Sequence, residues 1–93
     1  MAEIIKVQVQ LMKEGDTAIV YSPALEITGY GRSLEEAQRD FHNAVTIFME
    51  ETKSNGSLER ALETLGWKRI DHHWKPQVEI LSGVRTEEIA IPA

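Results

Sequence analysis

Apolar and polar side chains alternate along the first stretch of the chain. The apolar ones occupy odd positions: Ile5, Val7, Val9 and Leu11. The even positions between them are polar: Lys6, Gln8 and Gln10. A period of two indicates a strand with one buried face and one solvated face.

Two further strands are predicted after this one. Gly15 lies in a polar turn and can adopt a positive φ, and residues 17–21 are apolar and rich in β-forming types. The short connection predicts an antiparallel hairpin. A third, shorter strand is expected at 26–30, with Gly29 and Gly31 permitting a sharp exit from it.

A capping box opens the next element. Ser33 should cap the first turn of a helix, and Glu36 should reach back to the Ser33 amide. Apolar residues then recur at helical spacing on one face: Leu34, Ala37, Phe41, Ala44, Val45 and Phe48. We expect this helix to run over 34–52 and to end where Asn55 or Gly56 can adopt the left-handed conformation.

A second, shorter helix and a small hairpin are predicted after that terminator. Ser57 can cap the helix, which should end at Gly66. Residues 67–75 suggest two short strands around a polar turn at 71–73, and 78–81 could extend the second of them.

These elements predict an α+β domain. A small antiparallel sheet, in β-β-β-α-(α)-β order, should pack on one long helix within a single domain at 1–82. The tail at 83–93 is either a strand or disordered, since Ile89 and Ile91 alternate with polar or small residues. As a strand it could add to the sheet of a second copy. We therefore expect a homo-oligomer, for which a crossed or swapped dimer is one arrangement.

Composition limits the compartment and the class of partner. Among 93 residues there is no cysteine, which excludes disulfides and thiolate chemistry and favours the cytoplasm. The first residues do not resemble a signal peptide, and no stretch is long and apolar enough to span a bilayer, so we expect a soluble protein. The net charge of −5 argues against non-specific binding to nucleic acid.

One segment departs from this acidic balance and is the candidate partner-binding site. Its residues are basic or aromatic: Trp67, Lys68, Arg69, His72, His73, Trp74 and Lys75. Exposed tryptophan beside basic residues can stack on bases or anchor a protein interface. The alternative is that the tryptophans point into the core; this alternative is favoured for Trp67 and evenly balanced for Trp74.

Catalytic, metal and cofactor sites are not expected. Ribonuclease-H chemistry needs converging carboxylates, and the nearest candidates are Glu26, Glu36 and Asp40. The cap explains Glu36, and a solvated helix face explains Asp40. The adjacent imidazoles of His72 and His73 have no cysteine or carboxylate at ligand spacing, so solvated turn residues explain them better than zinc binding does.

Two stretches carry a resemblance to a known family. They are EGDTAIVYSPAL at 14–25 and GRSLEEA at 31–37, followed by IFMEE at 47–51 and LGW at 65–67. Over residues 3–80 the chain resembles the N-terminal domain of HicB-type antitoxins. That resemblance implies a partial ribonuclease-H-like fold, but nothing after Leu81 matches the family's C-terminal DNA-binding part.

The resemblance also implies a function. HicB-type domains neutralise a small ribonuclease toxin by binding it, so we expect a non-catalytic protein-interaction domain whose partner is a small toxin protein. The alternative is an RNA-binding module that uses the sheet together with the segment 67–75. A small hydrolase is disfavoured because no nucleophile and base are paired in the sequence.

Overall fold

The computed structural model of the protein describes residues 3–92, which form an antiparallel four-stranded sheet, two helices and a small separate hairpin. In chain order the elements are β1 (Glu3–Glu14), β2 (Thr17–Ser22), β3 (Ile27–Gly31), α1 (Leu34–Ser54), α2 (Leu58–Thr64), β4 (Lys68–Ile70), β5 (His73–Lys75) and β6 (Val84–Ile91). The four-stranded sheet has the order β3-β2-β1-β6. The predicted α+β class is confirmed.

The alternation in β1 places one row of side chains in the core. Ile5, Val7 and Val9 are buried, as their odd positions predict. Leu11 was expected to join them but is 36% exposed. It lines a shallow groove with Ala18 and Leu34 at the start of α1, and both leucines are left partly in contact with water.

Helix α1 begins at the predicted capping box. The Ser33 hydroxyl accepts a hydrogen bond from the Glu36 amide at 3.2 Å. The Glu36 carboxylate accepts from the amide of Arg32 at 2.8 Å, not from that of Ser33 as expected, because the side chain extends one residue further back. Gly56 takes the left-handed conformation beyond the end of the helix, with φ of +76°. No helix within residues 3–92 combines the length and apolar character that a membrane span requires.

The buried face of α1 consists of Ala37, Phe41, Val45 and Met49. This face packs on the sheet, and the approach is closest at β3. A Cβ atom at Gly29 would lie 2.4 Å from the Phe41 nitrogen, far inside van der Waals contact. Gly29 therefore serves close helix–strand packing rather than the sharp exit expected from the sequence.

The second helix, α2, is shorter than predicted and has no side-chain cap at Ser57. The Asn55 side chain instead accepts a hydrogen bond from the Ser57 amide at 3.0 Å. After α2 the indole of Trp67 enters the core and donates a hydrogen bond to the Ala24 carbonyl at 2.8 Å. This contact fixes the α2 end of the chain to the loop between β2 and β3.

The predicted hairpin is present as a separate two-stranded ladder of β4 and β5. Its turn residues Asp71 and His72 have φ of +50° and +67°, as a type I′ turn requires. Residues 78–81 do not extend β5 as expected. The amide of Ile80 is instead used in a hydrogen bond to the Gln8 side chain of β1, at 2.7 Å.

The tail forms a strand, which is one of the two alternatives considered for it. β6 pairs with β1 of the same chain in an antiparallel register that runs from Glu3 opposite Ile91 to Gln10 opposite Val84. Ile89 and Ile91 are buried in the core. The tail therefore completes the sheet of its own chain in this structure.

Candidate interaction surfaces

The basic hairpin has two different faces. Side chains alternate along β4 and β5, and Arg69 lies opposite Trp74 while Lys68 lies opposite Lys75. The first pair faces the rest of the protein and the second pair faces solvent. We call the exposed side the hairpin outer face and define it by five exposed residues: Lys68, Ile70, His72, His73 and Lys75.

Neither tryptophan of the predicted site is exposed. Trp67 is 1% exposed and Trp74 is 7% exposed. The Trp67 indole is held by its hydrogen bond to Ala24, and Trp74 lies beneath the guanidinium of Arg69, 5.5 Å from the ring centroid. Their assignment to a partner-binding site is therefore corrected, because both rings belong to the core and cannot stack on a base.

Arg69 lies on the same face of the hairpin as Trp74, and its side chain remains 46% exposed. Its guanidinium nitrogens lie 4.0 Å from a carboxylate oxygen of Glu3 and 3.9 Å from one of Glu59. The Trp74 amide donates to the same Glu3 carboxylate at 3.2 Å. These contacts anchor the hairpin to β1 and α2, so Arg69 acts as a structural tether.

The lysines of the hairpin outer face differ from Arg69 in forming no salt bridge within residues 3–92. Within residues 3–92, the salt bridges of the basic segment all involve Arg69. Two like charges directly opposite each other in a ladder repel. The Lys68 and Lys75 pair therefore forms a small positive surface on an otherwise acidic chain, with the imidazoles of the turn beside it.

The carboxylates considered for metal chemistry serve structural roles. Glu36 caps α1, and Asp40 accepts a hydrogen bond from the Tyr30 amide of β3 at 2.8 Å. Asp40 lies on an exposed helix face, as expected, and its carboxylate also forms this hydrogen bond to β3. Within the described part of the chain, no cluster of three or more histidines or carboxylates has the geometry to hold a metal ion.

A larger surface lies on the side of the sheet that faces away from α1. The strand registers place one set of side chains there: Ile4, Lys6, Gln8, Gln10, Met12, Ile19, Tyr21, Thr28, Tyr30, Val84, Thr86, Glu88 and Ala90. We call this the open sheet face. Several of its large apolar residues are exposed, with Ile4 at 58%, Tyr30 at 57%, Met12 at 43% and Val84 at 38%.

Met12 and Tyr30 lie in one row across the sheet, because Ile19 pairs with both of them. Ile4 lies eight residues from Met12 along β1, about 26 Å away at roughly 3.3 Å per residue. Isolated exposed apolar residues are ordinary on a protein, whereas neighbouring ones, as at Met12 and Tyr30, mark a candidate contact site. Leu81, from the segment that contacts this face through Ile80, is 90% exposed. The open sheet face combines these apolar residues with the amides of Gln8 and Gln10, a mixture suited to a protein partner.

The sequence itself carries a signal for this surface. Ile4 and Met12 lie at even positions of β1, in register with Lys6 and not with the buried row. Apolar residues on the solvated side of an amphipathic strand are candidates for contact with a partner. Tyr30 could be assigned to the same face only once the register of β3 against β2 was known.

Comparison of the chain with protein-family models, curated proteins and solved structures finds no match. The surfaces described above and the resemblance in the sequence are therefore the features that bear on the function of the chain.

Proposed function

We propose that this chain is a non-catalytic protein-interaction domain that resembles HicB-type antitoxins and binds a small ribonuclease toxin through the open sheet face. The observation that carries the proposal is the group of exposed apolar side chains on that face: Ile4, Met12, Tyr30 and Val84. A partner that covers them removes apolar area from water, which is the main driving force for protein association. The proposal places the chain in the cytoplasm, in keeping with its lack of cysteine.

Charge supports this class of partner. A ribonuclease binds a polyanion, so its substrate-binding surface carries positive charge. The chain has a net charge of −5, which complements such a surface and would speed their association. The open sheet face itself carries no net charge, because Glu88 lies opposite Lys6, so the negative charge comes from the rest of the chain.

Co-expression with a neighbouring gene product tests the proposal. The candidate is a small basic protein encoded next to this chain. We expect the two to co-elute in size-exclusion chromatography, and we expect the chain to suppress the ribonuclease activity of its partner. The proposal is contradicted if the chain elutes alone or leaves that activity unchanged.

Two charge variants assign the binding to a surface. Tyr30→Glu places a carboxylate in the open sheet face at a side chain that is 57% exposed, so the fold should tolerate it. We expect partner affinity to fall at least roughly ten-fold, since a charge at the centre of an apolar contact must be desolvated. Lys68→Glu on the hairpin outer face is the matched control and should bind like the wild type.

RNA binding is the second candidate, and one observation favours it. Lys68 and Lys75 form a positive pair on the hairpin outer face, with His72 and His73 beside it. Phosphate contacts from such residues weaken steeply with added salt. The burial of Trp67 and Trp74 removes base stacking by these rings from this mechanism.

Binding of a labelled single-stranded RNA, measured over a salt series, separates the two candidates. The RNA-binding mechanism predicts an affinity that is highest at low salt and is lost in Lys68→Glu and Lys75→Glu, while Tyr30→Glu retains it. Absence of binding at low ionic strength would remove this candidate, because phosphate contacts are strongest there.

A further inference from the structure

The outer edge of β6 is an unpaired strand edge. β6 has eight residues and lies at the end of the sheet, with β1 on its inner side. Within residues 3–92 no other strand pairs with it. Its outward-facing amides and carbonyls are therefore free to form a ladder with another strand.

The opposite edge of the sheet, formed by β3, is protected against pairing with a further strand, whereas the β6 edge is not. β3 has only five residues, and α1 packs against it at Gly29 and Gly31. The Asp40 carboxylate accepts the hydrogen bond of the Tyr30 amide at 2.8 Å and so occupies a donor on that strand. Short length, a covering helix and a side chain on the edge are the devices by which proteins block strand addition.

Symmetry restricts how β6 could pair with its own copy. A two-fold axis perpendicular to the sheet keeps the same face of both copies on the same side, so residues from the same face must lie opposite each other. Centring the pairing on Arg85 places two arginines opposite each other. Centring it on Glu87 or on Glu88 places two glutamates opposite each other, and like charges in a ladder repel.

The register centred on Thr86 avoids all of these clashes. It places Arg85 of each copy directly opposite Glu87 of the other, giving two symmetry-related pairs of opposite charge. Arg85 is exposed and forms no ion pair within residues 3–92. Within residues 3–92 the ion pair of Glu87 is with the His42 imidazole, with the nitrogen and oxygen 3.7 Å apart, and Arg39 lines the same groove.

We propose that the chain forms a homodimer in which β6 pairs antiparallel with β6 of a second copy, in the register centred on Thr86. The two sheets then become one continuous eight-stranded sheet. Both helices α1 lie on one side of it and both open sheet faces on the other. This dimer does not depend on the proposed function, because it uses the backbone edge of β6 and the side chains of Arg85 and Glu87, which lie on the α1 side of the sheet. Val84 is the one large exposed apolar residue of the open sheet face that belongs to β6.

Charge exchange at the edge tests the dimer and its register. Sedimentation equilibrium of the full chain should show a monomer–dimer equilibrium for the wild type. Arg85→Glu and Glu87→Arg should each raise the dimer dissociation constant roughly ten-fold or more, because each turns both attractive pairs into repulsive ones. Glu14→Lys, at the far end of β1, changes the charge equally and should leave the dissociation constant unchanged.

Mixing the two single variants gives the decisive result. The Arg85→Glu variant has acidic side chains at both positions 85 and 87, and the Glu87→Arg variant has basic side chains at both. In the mixture these lie opposite each other, so we expect a heterodimer although neither variant self-associates. The double variant R85E/E87R should dimerise like the wild type. Circular dichroism of each variant checks that the fold is intact.

Three results would overturn the inference. They are a wild type that remains monomeric at about 100 μM, single variants that dimerise like the wild type, and folded single variants that fail to associate when mixed. None of these results bears on binding to a toxin, which is measured separately with Tyr30→Glu.

Discussion

At the scale of single residues, the approach of helix to sheet depends on the absence of a side chain at Gly29. The position faces the helix backbone, with the Phe41 nitrogen and the Ala37 carbonyl oxygen within 2.5 Å of where a Cβ would lie. Backbone atoms cannot move aside as a flexible side chain can. The whole of α1 would have to shift to admit a methyl group here.

We therefore expect Gly29→Ala to lower the free energy of unfolding by about 3 kcal/mol, near the upper end for overpacking. Urea denaturation followed by circular dichroism measures the change. Gly15→Ala is the control, since its added Cβ meets no atom within 4 Å. Its positive φ alone should cost about 1 kcal/mol. Equal losses in the two variants would show that the close packing has been misjudged.

The indole of Trp67 contributes a hydrogen bond as well as volume. Its nitrogen donates to the buried Ala24 carbonyl at 2.8 Å, while Trp74 is held by stacking beneath Arg69. Trp67→Phe leaves that carbonyl without its partner, a loss of about 1–3 kcal/mol in addition to the lost packing. Trp74→Phe reduces packing and weakens the stacking on Arg69 but leaves no buried carbonyl unpaired, so we expect the unfolding midpoint to fall further in Trp67→Phe. A difference of zero would contradict this role for Trp67.

At the scale of elements, the β4–β5 hairpin is built around a turn whose second residue fits it poorly. Asp71 and His72 both have positive φ; aspartate is common at the first position of such a turn, whereas glycine is preferred at the second. We expect His72→Gly to stabilise the protein by about 0.5–1 kcal/mol by relieving this strain. His73→Gly, in the strand that follows, removes the neighbouring imidazole without that relief.

Thermal unfolding of the two histidine variants checks the account of the turn. His72→Gly should raise the midpoint, and His73→Gly should lower it, because glycine weakens a strand. A lower midpoint for His72→Gly would mean that the imidazole makes a stabilising contact. Both variants should retain affinity for a protein partner that binds the open sheet face.

The elements differ in how well local sequence predicts them. The β1–β2 hairpin and the start of α1 depend on short-range patterns, namely alternation, a glycine turn and a capping box, so both were predicted correctly. The pairing of β6 with β1 joins residues at opposite ends of the chain. Alternation of Ile89 and Ile91 suggested a strand there, but nothing local specified its partner.

At the scale of the whole molecule, the candidate surfaces were harder to predict than the fold. Exposure of the lysines on the hairpin followed from their charge, but the burial of Trp67 and Trp74 depends on contacts with Ala24 and with Arg69. The open sheet face gathers residues from four strands, and its composition becomes apparent only when their registers are known. The sequence pointed to Trp67 and Trp74 as candidate contact residues, and both rings are buried in the core.

The candidate surfaces lie on different parts of the molecule. α1 covers one side of the sheet and closes its β3 edge, while the other side and the β6 edge remain open to partners. The hairpin outer face provides a small positive surface on an acidic chain. A dimer through β6 would place two open sheet faces side by side and present two copies of the binding surface to one partner assembly.

The most direct test of the central claim is NMR mapping of the bound surface. The ¹⁵N-labelled chain is titrated with the partner protein that the co-expression experiment recovers, and amide shifts are followed residue by residue. We predict that the largest changes occur at Ile4, Met12 and Tyr30, with little change at Lys68 and Lys75. Changes confined to the hairpin outer face, or no changes at all, would contradict the account.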